Sequence, residues 1–287
     1  MFVKFGSVCL SYELASYSGY FVSPLKRWGK SACVGKLLAV RTNMLPIILS
    51  APHGGRQPIP EAPVRRGVGV AQFTTGRDNN TGELAERIAA KLEERFGAKP
   101  FLIIALFERK YVDANRPSAS AYESDQGKLH YESYHRKLRA ACERVRREWG
   151  LGLLLDIHGQ GTGVDTIYRG TSNGKTVMSL VGRFGRAAVS GAASMLGQLE
   201  QKGYKVFPPT DKSYEEKQYT GGYIVQTYGS HRETGIDAIQ LEIGTNLRKL
   251  AVLDRTAADL ADAIAVFAKE YLPLMKSSAA AEAITQP

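Results

Sequence analysis

Two histidines, His53 and His158, each close a short apolar run, and each is followed by glycine. The segments are Leu45-Pro46-Ile47-Ile48-Leu49-Ser50-Ala51-Pro52-His53-Gly54-Gly55 and Leu153-Leu154-Leu155-Asp156-Ile157-His158-Gly159. Runs that are apolar without alternation and stop at turn residues read as buried strands. In an open α/β sheet, ligands sit outside the carboxyl ends of the strands, so both imidazoles fall where such proteins do chemistry. The glycines let the backbone turn tightly and approach a neighbour closely. The paired contexts predict one metal site assembled from distant segments. The competing reading is two structural histidines satisfied by backbone groups.

A catalytic zinc usually takes three nitrogen or oxygen ligands from the protein and keeps one position for water. With His53 and His158 as two, the third should be a nearby carboxylate. Asp78 stands at the entrance to a predicted helix, in Arg77-Asp78-Asn79-Asn80-Thr81-Gly82-Glu83-Leu84-Ala85. A helix packed beside the first strand brings its N-terminus to that strand's carboxyl end. Plain N-capping is the alternative for Asp78. Glu83, inside the first turn, is the weaker ligand candidate, since it can simply complement the helix dipole. Hydrolysis by metal-activated water also needs a base. Glu242 lies in Ile239-Gln240-Leu241-Glu242-Ile243-Gly244, and a carboxylate among large apolar strand residues is costly to bury unless paired or functional. It is the expected general base, against a position on the solvent face of an edge strand. Arg116 offers a planar fork able to hold a carboxylate bidentately; a salt bridge to Asp113 is its alternative.

The elements that must position these residues follow from periodicity. Thr81 to Phe96 reads as an amphipathic helix, with Leu84, Ile88, Leu92 and Phe96 at helical spacing and Gly97 as its stop. Arg56 to Ala71, with Pro58, Pro60 and Pro63, reads as a rigid loop. Pro100 to Phe107 is a predicted strand, Glu108 to Pro117 a polar loop and Leu129 to Trp149 a long basic helix. Further strands are expected at 151–157, 166–169 and 236–243. Helices are expected near 190–202 and over 251–272, with 204–220 as loop and 221–228 as either helix or strand. Alternating strands and helices predict an α/β protein with a mixed, mostly parallel central sheet and helices on both faces.

At 287 residues the chain suffices for a large core. Residues 1–40, rich in Ser, Tyr and Gly, are expected to be a poorly specified extension, 41–275 a single domain and 276–287 a disordered tail. Met44, just before the first clear strand, offers an alternative start. The net charge of +10 suits small anions as well as polyanions. The basic residues of the long helix (Arg136, Lys137, Arg139, Arg144, Arg146 and Arg147) spread around it, which argues against a nucleic-acid stripe. The cysteines Cys9, Cys33 and Cys142 are isolated, with no CxxC pair, so no disulfide framework or thiolate metal site is indicated. No membrane-spanning run or signal peptide is evident, and a cytoplasmic protein is expected. There is no P-loop or dinucleotide fingerprint to support a kinase or dehydrogenase.

Taken in order, Pro52-His53-Gly54-Gly55, Asp78 with Thr81-Gly82-Glu83-Leu84-Ala85, Asp156-Ile157-His158-Gly159 and Gln240-Leu241-Glu242-Ile243 resemble the N-formylglutamate amidohydrolase family. That family is grouped with zinc carboxypeptidase-like hydrolases, and the resemblance extends over about residues 45–272. It implies one zinc ion and a small acidic N-acyl amino acid or peptide-like substrate. Phe107 to Arg116 looks like a shortened carboxypeptidase segment, which implies Arg109 as oxyanion stabiliser and Asn115 with Arg116 as the grip on a substrate carboxylate. Alone, His135 reads as a packed or surface histidine; the resemblance also raises it to a candidate either for substrate contact or for support behind the site. Carboxypeptidases carry a His-x-x-Glu ligand pair, whereas position 56 here is Arg, which displaces the carboxylate ligand to Asp78. A carboxypeptidase or poly-glutamate hydrolase would use the same centre. A ligand- or polyanion-binding protein without catalysis would not need Glu242.

Overall fold

The computed structural model describes residues 44–210 and 216–275. The expected N-terminal extension and C-terminal tail lie outside them. Six strands form one sheet: β1 (Met44–Ala51), β2 (Lys99–Ile104), β3 (Leu153–Gln160), β4 (Thr166–Gly170), β5 (Lys205–Phe207) and β6 (Asp237–Gly244). Their order is β2-β1-β3-β6-β4-β5. Neighbours run parallel except β4 against β6, which gives the mixed, mostly parallel sheet expected. The helices are α1 (Thr81–Phe96), α2 (Ser118–Ala121), α3 (Asp125–Trp149), α4 (Met178–Phe184), α5 (Ala187–Ser190), α6 (Met195–Gln201), α7 (Tyr223–Tyr228) and α8 (Leu250–Tyr271).

Side-chain alternation divides each central strand between two cores. Ile47 and Leu49, Leu153, Leu155 and Ile157, and Ile239, Leu241 and Ile243 pack with α1, α6 and α8 on one face. Ile48, Leu154 and Ala238 pack with α3 and α7 on the other. On that second face the strands turn polar toward their carboxyl ends. Parallel register aligns Ile48 with Leu154 and Ser50 with Asp156. It then aligns Leu154 with Ala238, Asp156 with Gln240 and His158 with Glu242. One row of apolar side chains is thus followed by two rows of polar ones, all on one side of the sheet.

Helix α1 has the bounds its periodicity predicts, ending at Gly97 with φ 60°. Helix α3 starts four residues earlier than the apolar spacing suggests, because Ser124 caps it by accepting from the Gly127 amide. It buries Tyr131, Tyr134, Leu138, Cys142, Val145 and Trp149 and leaves Arg136, Lys137, Arg139, Arg146 and Arg147 exposed. The segment near 190–202 departs from one continuous helix. Glycines 185 and 191 close α4 and α5, and Ser194 caps α6 by accepting from Gly197. Residues 204–220, expected as loop, contain β5, a three-residue strand too short to show a period. The ambiguous 221–228 segment is helical from Tyr223.

Candidate metal-dependent active site

Strand β1 ends at Ala51, and His53 follows two residues later. A Cβ on Gly54 would lie 2.6 Å from the Gly82 amide nitrogen, so glycine there lets α1 press its N-terminus against the end of β1. Asp78, just before that helix, donates its amide to His53 O at 3.1 Å. Its side chain does not cap α1. Oδ2 accepts from the Gly159 amide at 3.0 Å and lies 3.4 Å from both His53 Nδ1 and His158 Nδ1. One ligand atom from each of His53, Asp78 and His158 falls within 4.8 Å of the others, and all three residues are buried. Glu83 is elsewhere, half-exposed and paired with Arg56 at 2.7 Å. The arginine that breaks the His-x-x-Glu pattern thus engages the rival carboxylate.

Each imidazole is held from behind. His53 Nε2 meets Asp113 Oδ1 at 2.7 Å, and His158 Nε2 meets Asp156 Oδ2 at 2.8 Å. An ionised carboxylate only accepts, so both Nε2 atoms carry hydrogen, and both Nδ1 atoms face Asp78. Buried carboxylates of this kind orient metal-bound histidines and raise their basicity. Among the described residues, His53 Nδ1 is buried with no hydrogen-bond partner, Asp78 Oδ2 standing off at 3.4 Å. Leaving such a group unsatisfied costs about 1–3 kcal/mol. An orphaned imidazole nitrogen beside a second imidazole and a carboxylate fits a divalent cation, and a donor set without thiolate suits zinc. Burial alone would raise the Asp78 carboxyl; bonds and charge from His158 and His53 outweigh it and hold Asp78 well below the carboxylate range. His158 is raised well above its usual value. Its burial opposes this but is outweighed by Asp156 and Asp78, so a cation at Nδ1 would compete with a proton.

Glu242 stands beside His158 in register and is buried, with Oε1 accepting from Gln240 Nε2 at 2.8 Å. Gln240 is oriented in turn by the Gly222 amide, which donates to its Oε1 at 2.6 Å. Burial raises the Glu242 carboxyl above its ordinary value. A cavity of about 400 Å³ opens over these groups and is lined by His53, Asp78, His158, Glu242, Arg109, Asn115 and Arg116 among others. Seven of the eight residues singled out from sequence therefore share one cavity. Among the described residues, no large aliphatic side chain lines it. Gln72, Gln160, Gln218, Tyr219 and Thr220 complete much of the wall.

The loop 108–117 meets the site through Asp113. Its Oδ1 accepts from His53 and from the Asn115 amide at 3.1 Å, and its Oδ2 takes Arg109 Nε at 3.0 Å and Nη2 at 2.9 Å. Burial would raise this carboxyl, but charge and bonds from His53 and Arg109 push it far below its usual range. Arg109 is therefore largely engaged, with Nη1 3.6 Å from Asp78 Oδ1. Arg116 is freer. It is 3.9 Å from Asp113 and donates once, to Gln72 O at 3.2 Å. Asn115 Oδ1 accepts from the Ile224 amide at 2.8 Å, which turns Nδ2 toward His158.

His135 is not brought to the cavity. It is buried beneath it, with Nε2 donating to Ala114 O at 2.9 Å and Nδ1 beside Tyr228 Oη at 3.0 Å, packed edge or face against Tyr131, Tyr134, Tyr223 and Tyr228. Of the two roles left open for it, substrate contact is not met: its ring has both nitrogens engaged by the protein and supports the turn before Asn115. Burial lowers its pKa, in keeping with a neutral ring.

Several functional neighbours escaped the sequence reading. Asp156 is one of them, although its spacing of two from His158 on a strand is a usable signal. Ser50 Oγ donates to Asp156 at 2.7 Å and receives Tyr134 Oη at 2.7 Å, extending the support to α3. Glu216 holds the wall formed by 218–222. It accepts from Arg169 Nε at 2.9 Å, Thr171 N and Oγ1 at 2.6 Å each, and the Asn173 amide at 3.0 Å. Nothing local in the sequence marks Glu216 or Asp113.

A model of the N-formylglutamate amidohydrolase family matches residues 123–247. No curated protein sequence matches. The crystal structure of N-formylglutamate amidohydrolase from Ralstonia eutropha JMP134 is 17% identical and aligns with 80% of this chain and 95% of that one at a TM-score of 0.54, a likeness of fold. The CwlD amidase from Clostridioides difficile, in complex with the GerS lipoprotein, is 14% identical over 78% and 96% of the two chains at 0.32. The catalytic domain of the CD27L endolysin, described as targeting Clostridia difficile, is 12% identical over 79% and 98% at 0.35. The family match contains His158 and Glu242 and ends before reaching back to His53 or Asp78. Through residues 123–247, then, the chain carries the sequence likeness of the N-formylglutamate amidohydrolase family, and that match supports the hydrolysis of an amide bond.

Proposed function

We propose that the protein is a zinc-dependent amidohydrolase acting on a small, hydrophilic N-acyl amino acid of the N-formylglutamate kind. The observation that carries this reading is the meeting of two carboxylate-backed imidazoles and Asp78 beside buried Glu242 in one cavity. His53, Asp78 and His158 would hold the ion, which when bound polarises an amide carbonyl and lowers the pKa of water. Glu242 accepts the proton of the attacking water and returns it to the leaving nitrogen. Its raised affinity for protons, from burial, suits that exchange. Arg109 faces the developing oxyanion with Nη1, while Asp113 fixes the rest of its guanidinium. Arg116, with Asn115, holds the substrate carboxylate and so aligns the amide. The polar wall and the cavity's small size favour a short acyl group over a fatty or aromatic one.

The test is direct. Purified protein is assayed for bound metal, then for formate released from N-formyl-L-glutamate before and after chelator treatment, with Glu242→Gln alongside. Loss of general base catalysis costs about 10²–10⁴ in rate, and the glutamine should keep fold and metal. Full activity in metal-free protein, or near-normal turnover by metal-loaded Glu242→Gln, refutes the reading. Metal binding without hydrolysis of any N-acyl amino acid would leave a binding protein instead.

A further inference from the structure

Arg248 is a buried cation whose guanidinium bonds only to backbone carbonyls among the described residues. It sits in the short turn between β6 and α8 and is 5% exposed. Nε donates to Ile243 O at 2.9 Å, Nη2 reaches Gln160 O at 3.4 Å, and Nη1 donates to Asn79 O. Its own carbonyl accepts from Asn80 Nδ2 at 2.8 Å. These three acceptors belong to three different segments. Ile243 follows Glu242, Gln160 lies two residues after His158, and Asn79 follows Asp78. The guanidinium also lies flat against Gly159, where a Cβ would stand 2.3 Å from Cζ. Gly159 is the residue whose amide donates to Asp78 Oδ2.

On the reading above, we infer that Arg248 is the positioning residue of the metal centre, a three-way clamp that holds the Asp78 loop in register with the ends of β3 and β6. Arginine suits this place because its planar fork presents several fixed N–H directions, which an ammonium cannot reproduce. Carbonyl partners leave its charge uncancelled, and the nearest carboxylates that feel it are Asp78 and Glu242. The segment it clamps needs holding. Asn80 is in the left-handed region at φ 63° and does not cap α1 with its side chain. The Asp78 loop therefore takes its position from Arg248 and Gly159 as well as from its helix. Arg248 offers no ligand atom and does not itself line the cavity, so it acts through Asp78 and the strand ends.

The experiment measures zinc affinity by chelator competition in four full-length proteins: wild type, Arg248→Lys, Asp78→Ala and the double variant. Outer-shell partners of metal ligands are worth about 10–100-fold in affinity. Arg248→Lys should lose about tenfold or more in the wild-type background and less than about twofold once Asp78 is gone. Circular dichroism reports whether the fold is intact. Asn80→Gly supplies a milder second handle at a partly exposed position. Glycine keeps the left-handed backbone and removes the bond to Arg248 O together with an exposed one from Arg56 Nη2, so a several-fold loss is expected, again absent beside Asp78→Ala. Wild-type affinity in both Arg248→Lys and Asn80→Gly overturns the clamp while leaving the metal site standing. An equal loss with and without Asp78 also overturns it, since Arg248 would then support the fold generally. Wild-type protein that binds no zinc overturns the metal site and the clamp together.

Discussion

Asp113→Asn tests whether the support behind His53 matters to the metal or only to the loop. The carboxylate accepts four bonds, two at each oxygen: His53 Nε2 and the Asn115 amide at Oδ1, Arg109 Nε and Nη2 at Oδ2. Asparagine has a single acceptor oxygen. If that oxygen faces His53, its NH2 group confronts two N–H groups of Arg109. If it faces Arg109, the NH2 group confronts His53 Nε2–H and favours moving the ring proton to Nδ1, which removes the lone pair a metal would use. The second arrangement weakens binding directly, and the first loosens Arg109 and the loop that carries the support. The expected loss of zinc affinity is about 10–100-fold, or about 1.4–2.8 kcal/mol at about 1.4 kcal/mol per tenfold. Breaking a fully buried ion pair costs about 3–5 kcal/mol. Arg109 is 12% exposed and stays close to Asp78, so the loss of fold stability should be smaller, about 1–3 kcal/mol. Chelator competition gives the affinity and urea unfolding of the metal-free protein gives the stability. A variant that is destabilised yet binds zinc within about twofold of wild type would refute the argument that Asp113 sets the His53 tautomer.

Further outcomes can be measured on the same protein. Asp78→Ala should weaken zinc binding, leaving the weaker two-histidine affinity measurable, whereas Glu83→Ala breaks only the half-exposed pair with Arg56, worth about 0–1 kcal/mol, and should bind zinc normally; the reverse pattern would reassign the ligand. Arg116→Lys keeps the charge but loses the fork, so kcat/KM for N-formyl-L-glutamate should fall about tenfold or more while a neutral N-formyl amide is less affected, and equal losses on both would remove Arg116 from carboxylate binding. Glu216→Gln replaces a fully bonded buried carboxylate facing Arg169 and should lower stability by about 3 kcal/mol or more in denaturant titration. Cys142, whose thiol burial pushes up to about 12, should resist iodoacetamide at pH 8 in native protein and react in urea, as read by peptide mass mapping.

The parts of the fold that were legible in the chain share a physical origin. Strand β6 is buried along its whole length, and its large apolar residues Ile239, Leu241 and Ile243 say so. A carboxylate set between Leu241 and Ile243 then had to be either paired or functional. The two histidines were legible for a related reason: each stands where an apolar run ends, and the parallel register of β1, β3 and β6 carries such ends to one edge of the sheet. Asp78 was reachable from the geometry of a helix entering beside β1. What stayed hidden are groups whose meaning lies in a partner far along the chain. Asp113 is sixty residues from His53, and Arg248 joins segments whose nearness only the completed sheet creates. His135 shows the converse. The family resemblance left it a role at the substrate or behind it, and helical phase turns it inward among four tyrosines, where a neutral imidazole can donate to a carbonyl and accept from a phenol. Local pattern can nominate a ligand by where its strand stops. It cannot nominate the groups that hold that ligand still, because period and propensity act over a few residues and those bonds close over the whole sheet.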